Sequence, residues 1–195
     1  EEIASFYAAV AKQWDRIDFV IHSLAFAERE DLMGRFIDTK RANFHLALDI
    51  SAYSLVAVAK AAAPLMPSGG SIIAMTYYGA EKVVPRYNVM GVAKAALEAS
   101  GRYLANELGP QNIRVNCISA GPLRTLSSSA IPGMRSMLNA SQTFAPMRRS
   151  VEAEEVAKTA VYLVSDLSSG VTGETHHVDC GLNILGMFVP QDSEE

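Results

Sequence analysis

Three short apolar runs, Ile17 to Ser23, Ser71 to Thr76 and Ile113 to Ile118, each follow a longer stretch with helical periodicity. Short apolar runs of this type are what strands buried on both faces show. The helical stretches are the amphipathic opening EEIASFYAAVAKQWDR, about residues 44–64 and about residues 88–108, with Pro64, Gly69, Gly70, Gly109 and Pro110 near their ends. An α-β-α-β-α-β order constrains the chain strongly, because parallel neighbours need crossovers and the crossover helices cover the sheet faces. The expected class is α/β, a Rossmann-like doubly wound parallel sheet. A further helix over 151–164 and a strand over 175–178 extend it. No repeat, low-complexity tract or linker interrupts the chain, so 1–195 reads as a single domain. Because the first residues are already helical and uncapped, N-terminal strands are expected to be missing from this stretch.

A formal net charge of −4 offers no concentrated basic surface for nucleic acid. Cys117 and Cys180 are the only cysteines and lack metal-site spacing, which points to a reducing, cytoplasmic compartment. No apolar run reads as a membrane span of roughly 18 to 20 residues, and the opening is not a signal peptide, so no membrane association is expected. His22, His45, His176 and His177 have no clustered partners, and no metal is expected.

In open parallel sheets, ligands sit at the carboxyl ends of the strands. The segments following the three runs, Ser23 to Ala27, Tyr77 to Gly79 and Ser119 to Thr125, are rich in small, polar or glycine residues that let backbone approach a flat ligand. Tyr87 and Lys94 stand seven residues apart at the start of the third helical stretch, on one face and separated by about 10 Å along the axis. The pair suits a ligand lying along the helix, gripped by the ammonium and addressed by the phenol. A cation near the phenol would lower its pKa from about 10. A packed tyrosine beside a solvated lysine is the plain alternative.

The segment YYGAEKVVPRYNVMGVAKA, Tyr77 to Ala95, closely resembles the enoyl-acyl-carrier-protein reductases of bacterial type II fatty-acid synthesis, divergent members of the short-chain dehydrogenase/reductase superfamily. The similarity lies in a first tyrosine ten positions before a second, followed by a lysine after six intervening residues, matched by Tyr77, Tyr87 and Lys94. Ordinary members of the superfamily separate Tyr and Lys by three. The resemblance continues in HSLAFA (His22 to Ala27), DISAYS (Asp49 to Ser54), ISAGPLRT (Ile118 to Thr125), PMRR (Pro146 to Arg149) and SDLSSGVTGETHHVD (Ser165 to Asp179). Tyr78 and Lys82 satisfy the ordinary spacing, but Gly79 and the following Val83-Val84-Pro85 disfavour the helix it needs, so that pair reads as loop.

The resemblance implies reduction of the trans-2 double bond of an enoyl-acyl-carrier protein during fatty-acid elongation, with hydride from NADH or NADPH. It implies that Tyr87 donates to the thioester oxygen, Lys94 holds the nicotinamide ribose and Tyr77 shapes the site. Cofactor contacts are implied for Ser23, Leu24, Ala25, Lys94, Ala120, Gly121, Pro122, Leu123, Thr125 and Ser127. Acyl contacts are implied for Ala27, Tyr77, Met90, Ile131 and Met134, with core packing an equal alternative for Met90 and Ile131. A homotetramer is implied too, with the apolar ending Leu182 to Val189 expected in a subunit interface. The glycine-rich phosphate-binding turn is expected before residue 1, so the isolated stretch is expected to be inactive. Carrier protein is expected to dock at a lid over 127–138, with Arg135 foremost and Arg148 and Arg149 next, unless these arginines pair with Glu152, Glu154 and Glu155. Cys180 stands where the superfamily's ending reads Val-Asp-Gly-Gly, a mild change unless that backbone needs positive φ. An alcohol or ketone dehydrogenase and a non-catalytic scaffold are the competing classes. The Tyr87–Lys94 spacing disfavours the first, and retention of both tyrosines with the lysine disfavours the second.

Overall fold

The computed structural model describes residues 2–123 and 133–188. Helix α1 (Glu2–Gln13) leads into β1 (Phe19–His22), and a short α2 (Arg29–Met33) follows. Helix α3 (Arg41–Leu48) runs through a π turn (Asp49–Tyr53) into α4 (Ser54–Ala62), ending in a 3-10 turn at Pro64. Then come β2 (Gly70–Thr76), α5 (Val89–Leu108), β3 (Ile113–Ala120), α6 (Met134–Phe144), α7 (Ala153–Val164) and β4 (Thr175–Val178). The sheet is parallel throughout in the order β1-β2-β3-β4, with Ile72 opposite Val115 and Ile118 opposite His176.

Successive strand side chains point to opposite faces, and here each face meets helices. Ile72 and Val115 pack with Leu55, Ala59 and Leu97 of α4 and α5, while Ile73 and Ile118 pack with Val156 and Leu163 of α7. Burial on both sides explains the uninterrupted apolar centre of β2, Ile72 to Met75, whereas β3 carries Arg114 and Asn116 between its apolar residues, satisfied by hydrogen bonds to the Ser168 hydroxyl and to the Ser165 and Val171 carbonyls. The same expectation fails for β1, where Phe19 is 50% and Ile21 47% exposed. Among the described residues β1 is an edge strand, paired only with β2, so one margin of its backbone and part of its apolar surface lack a partner.

Two features bear on expectations from the sequence. The continuous helix Arg41–Leu65 contains an 18-residue window with a mean hydropathy of 1.5 and is long and apolar enough to cross a membrane by length and composition. Its residues Leu55, Val58, Ala59 and Ala62 are buried against the sheet and neighbouring helices, the pattern of a core helix. Cys180 takes φ +58°, a conformation that costs a non-glycine residue about 1 kcal/mol. The turn is held from both sides: the Asp179 carboxylate accepts from the Gly181 N–H at 2.9 Å and the Asn183 N–H at 2.8 Å. Such over-determination lets a strained residue persist. Of the lid expected over 127–138, residues 134–138 belong to α6 and 127–132 lie outside the described residues.

Candidate active site

At the carboxyl ends of the strands lies a cavity of about 480 Å³. The end of β2 supplies Met75, Thr76 and Tyr77, and the end of β3 supplies Ala120, Gly121, Pro122 and Leu123. The turn after β1 contributes Ala25, Phe26 and Ala27, α5 contributes Met90 and Lys94, and α6 contributes Met134 and Met137. The turn after β1 is fixed by Ser51, whose hydroxyl accepts from the Phe26 N–H at 2.9 Å and donates to the Phe26 carbonyl at 3.0 Å. Ser51 occupies the π turn, an irregularity that recurs at functional sites because it re-aims a helix side chain.

Lys94 is 5% exposed, and its ammonium donates to the Met75 carbonyl at 2.7 Å. Burial lowers its pKa to about 8, with the neighbouring Cys117 and Glu98 groups pulling the other way. An ammonium has three protons to donate, and one is committed to Met75. One helical turn along α5, Glu98 is buried, accepts a 2.6 Å hydrogen bond from the Thr76 hydroxyl and has its pKa raised by burial.

Tyr87 does not lie on α5, contrary to the spacing argument. It sits in the preceding turn, between Arg86 at φ +66° and Asn88 at φ +43°. The Asn88 side-chain amide secures this turn by donating to the Asp31 carbonyl at 2.7 Å and the Gly34 carbonyl at 3.1 Å. The Tyr87 ring rests on Gly79, where any Cβ would overlap Tyr87 Cδ1; a Cβ on Gly91 would come within 2.7 Å of the Gly79 carbonyl oxygen. These two close approaches seat the phenol between the β2–α5 connection and the helix. Tyr77 meets it edge to face, with ring centroids 4.9 Å apart. Burial, then Asp179, pushes the Tyr77 phenol up to about 12, and burial, then Tyr77, pushes Tyr87 still higher. The expected lowering of the Tyr87 pKa by Lys94 is therefore overturned: desolvation dominates, and both phenols stay protonated donors.

His22, at the end of β1, is 2% exposed, and its Nε2 lies 2.7 Å from the Ser54 hydroxyl, which itself donates to the Ile50 carbonyl at 2.6 Å. Burial, then the Lys94 charge, lowers its pKa to about 4. Between that value and the unfolded-chain pKa of about 6.5, the unfolded state binds the extra proton, so stability falls as pH drops through this window. The expected loss is on the order of 3 kcal/mol across the window. Urea unfolding of wild type and His22→Gln between pH 7 and pH 4.5 checks this: the variant should lose much of the slope, and parallel curves would assign the acid sensitivity elsewhere.

The cavity thus brings together Tyr77, Tyr87, Lys94, Ala25, Ala27, Met90, Ala120, Gly121, Pro122, Leu123 and Met134. Ser23 and Leu24 are exposed and do not line its wall; Thr125, Ser127 and Ile131 lie outside the described residues. Met90 is both lining and core, since it packs with Leu32 and Tyr87. Phe26, Leu32, Met75, Thr76 and Met137 also line the cavity, unanticipated although Phe26 lies inside HSLAFA and Met137 stands three positions after Met134. The Tyr78–Lys82 pair stays outside the cavity: Tyr78 donates to the Asn183 carbonyl at 3.1 Å and Lys82 is exposed. Arg149 makes a two-pronged ion pair with Glu155 at 2.6 and 2.7 Å, and Arg148 donates to the carbonyls of Thr143 and Phe144 at the end of α6. Arg135 is exposed and enters no ion pair among the described residues.

The profile of the family described as Enoyl-(Acyl carrier protein) reductase matches residues 1–183. The chain is 56% identical over 186 residues to the NADH-type enoyl-[acyl-carrier-protein] reductase of Rickettsia bellii, covering 95% of this chain and 71% of that protein. It is likewise 56% identical over 185 residues to the NADPH-type enzyme of Staphylococcus aureus, covering 95% and 72%. Among solved structures, the Anaplasma phagocytophilum reductase in complex with NAD superposes with a TM-score of 0.92 at 50% identity, covering 96% of this chain and 71% of that one. The Bacillus cereus enzyme with NADP+ and an indole naphthyridinone gives 0.93 at 52% identity, covering 95% and 72%. With the expected tyrosines and lysine gathered on one cavity of a parallel sheet, and with matches of this extent, the chain belongs to the enoyl-acyl-carrier-protein reductase family of the short-chain dehydrogenase/reductase superfamily.

Proposed function

We propose that this chain carries the catalytic groups for reducing the trans-2 double bond of an enoyl-acyl-carrier protein with hydride from NADH or NADPH. The observation that carries the reading is a buried ammonium and a buried, protonated phenol lining one cavity, with a second phenol against the first. A nicotinamide cofactor fits these residues: Lys94 has donors left for ribose hydroxyls, and Ala25, Ala120 and Gly121 leave room for a flat ring. When bound, the reduced nicotinamide supplies the hydride.

The remaining work falls to the chain. Tyr87 donates its proton in a hydrogen bond to the thioester oxygen as negative charge develops there, the electrostatic task that dominates such reactions. Lys94 grips the ribose and, being almost wholly buried, adds positive potential. Tyr77 forms the wall beside the substrate, with Ala27, Met90 and Met134 along the acyl chain and Ile131 assigned to the same channel. Pro122, Leu123, Thr125 and Ser127 flank the cofactor in this reading, as do Ser23 and Leu24. Arg135 on α6 is suited to receive the acidic carrier protein. A cytoplasmic homotetramer is the proposed setting.

Oxidation of NADH or NADPH by the full-length protein, with a crotonyl thioester compared against simple ketones, tests the reading; turnover of ketones alone would replace it with an alcohol or ketone dehydrogenase. A finer check uses Gly79→Ala, whose new methyl displaces the Tyr87 ring. Since misplacing a reacting group by about 1 Å costs on the order of 10²-fold, kcat should fall by about that factor while the circular dichroism spectrum stays native. A fully active variant would show that Tyr87 need not sit where Gly79 seats it.

A further inference from the structure

We propose that Met137, held against Tyr77, is a gate that sets how long an acyl chain the site accepts; this rests on the reductase reading above. A second cavity of about 400 Å³ adjoins the first, and among the described residues the two share Tyr77, Pro122 and Met137. The Tyr77 hydroxyl donates to Met137 Sδ at 3.7 Å, so the two side chains meet across the passage. Their mobility differs. Tyr77 is braced by its edge contact with Tyr87 and Pro122 has a locked φ, whereas an unbranched thioether on three rotatable bonds swings aside readily.

The second cavity is lined by Val84, Ala140, Leu182 and Phe188, with the exposed Val83 and Pro85 at its rim. Its polar members are few: Arg86 and Ser136 are exposed, and the Tyr78 hydroxyl is engaged by the Asn183 carbonyl. An amide-bearing carrier arm would leave its polar groups unpaired against such a wall, while methylenes gain from burial there. The occupant is therefore the far end of a long acyl chain. A short enoyl group finishes within the first cavity, and a long one reaches the second by moving Met137 aside.

The test measures kcat/KM of the full-length protein for crotonyl and trans-2-dodecenoyl thioesters, each as the coenzyme A and the N-acetylcysteamine derivative. Met137→Ala should raise the dodecenoyl-to-crotonyl ratio about tenfold, and Met137→Trp should lower it comparably, with both carriers alike. Alanine is favourable in a helix; should tryptophan disturb the fold, Met137→Leu, branched and less able to swing aside, is expected to lower the ratio in its place. A ratio unmoved by these substitutions overturns the gate and leaves the reductase reading standing. So does a shift that follows the thioester carrier rather than chain length, which would give the second cavity to the pantetheine arm. If the unmodified protein binds reduced cofactor but reduces neither chain, the reductase reading itself fails and the gate with it.

Discussion

Tyr87→Phe is expected to lower kcat by about 10²- to 10³-fold, the cost of removing one preorganised donor to a developing oxyanion, with little change in affinity for reduced cofactor. The substitution deletes a single oxygen from a ring that stays packed on Gly79 and against Tyr77, so the fold and the cavity walls persist. Because burial holds the Tyr87 phenol far above the neutral range, its ionisation should not appear in the pH–rate profile below pH 9. Stopped-flow measurement of a single turnover isolates the chemical step from product release. A variant that keeps the wild-type single-turnover rate would remove Tyr87 from the chemistry and leave Tyr77, its edge-to-face neighbour, as the donor to examine.

How far this site could be read from the sequence depended on which physical cause was local. The β2 run was legible because both faces of that strand are covered, a condition written directly into uninterrupted apolar residues; β3 is covered on both faces too, but Arg114 and Asn116 interrupt it and find hydrogen-bond partners only in the folded chain. The apolar run at β1 looks identical, yet the exposure of Phe19 and Ile21 is decided by what lies beside and above the strand, which its own residues cannot report. Spacing correctly put Tyr87 and Lys94 on a common cavity, but for a partly wrong reason: Tyr87 reaches it from a turn with positive φ on both sides, not from the helix. Nothing in an arginine announces that conformation, and an asparagine only raises its odds. The direction of the phenol's pKa shift was missed because distance along the chain suggested the lysine charge, while burial, a tertiary property, outweighs it. Met137 was missed because the resemblance assigned acyl contacts only as far as Met134, and nothing before the fold shows that the next turn of the same helix also faces the cavity.

Lys94→Ala is expected to raise the dissociation constant for reduced cofactor about 10- to 100-fold, the range for losing hydrogen bonds from a charged group. The wild-type affinity should also weaken as pH rises through about 8, where the buried ammonium loses its proton, and the variant should lack that inflection. Fluorescence titration of the full-length proteins with reduced cofactor from pH 6.5 to 9.5 measures both effects. Binding as tight as wild type would show that Lys94 does not hold the ribose. A weakened variant that retains the wild-type inflection would assign the titration to another group.

The bond from Lys94 to the Met75 carbonyl also bears on how the site meets its ligands. A free lysine side chain samples many rotamers, and confining it removes up to about 2 kcal/mol of conformational entropy. Here the confinement is already complete, since a carbonyl at the end of β2 fixes the ammonium in a cavity that its own stem helps close. Folding has absorbed that ordering before any cofactor arrives. A docking ribose then meets a rigid cation rather than a wandering one, so less of its interaction energy is consumed in immobilising the protein, and the arrival of cofactor should leave the lysine rotamer unchanged.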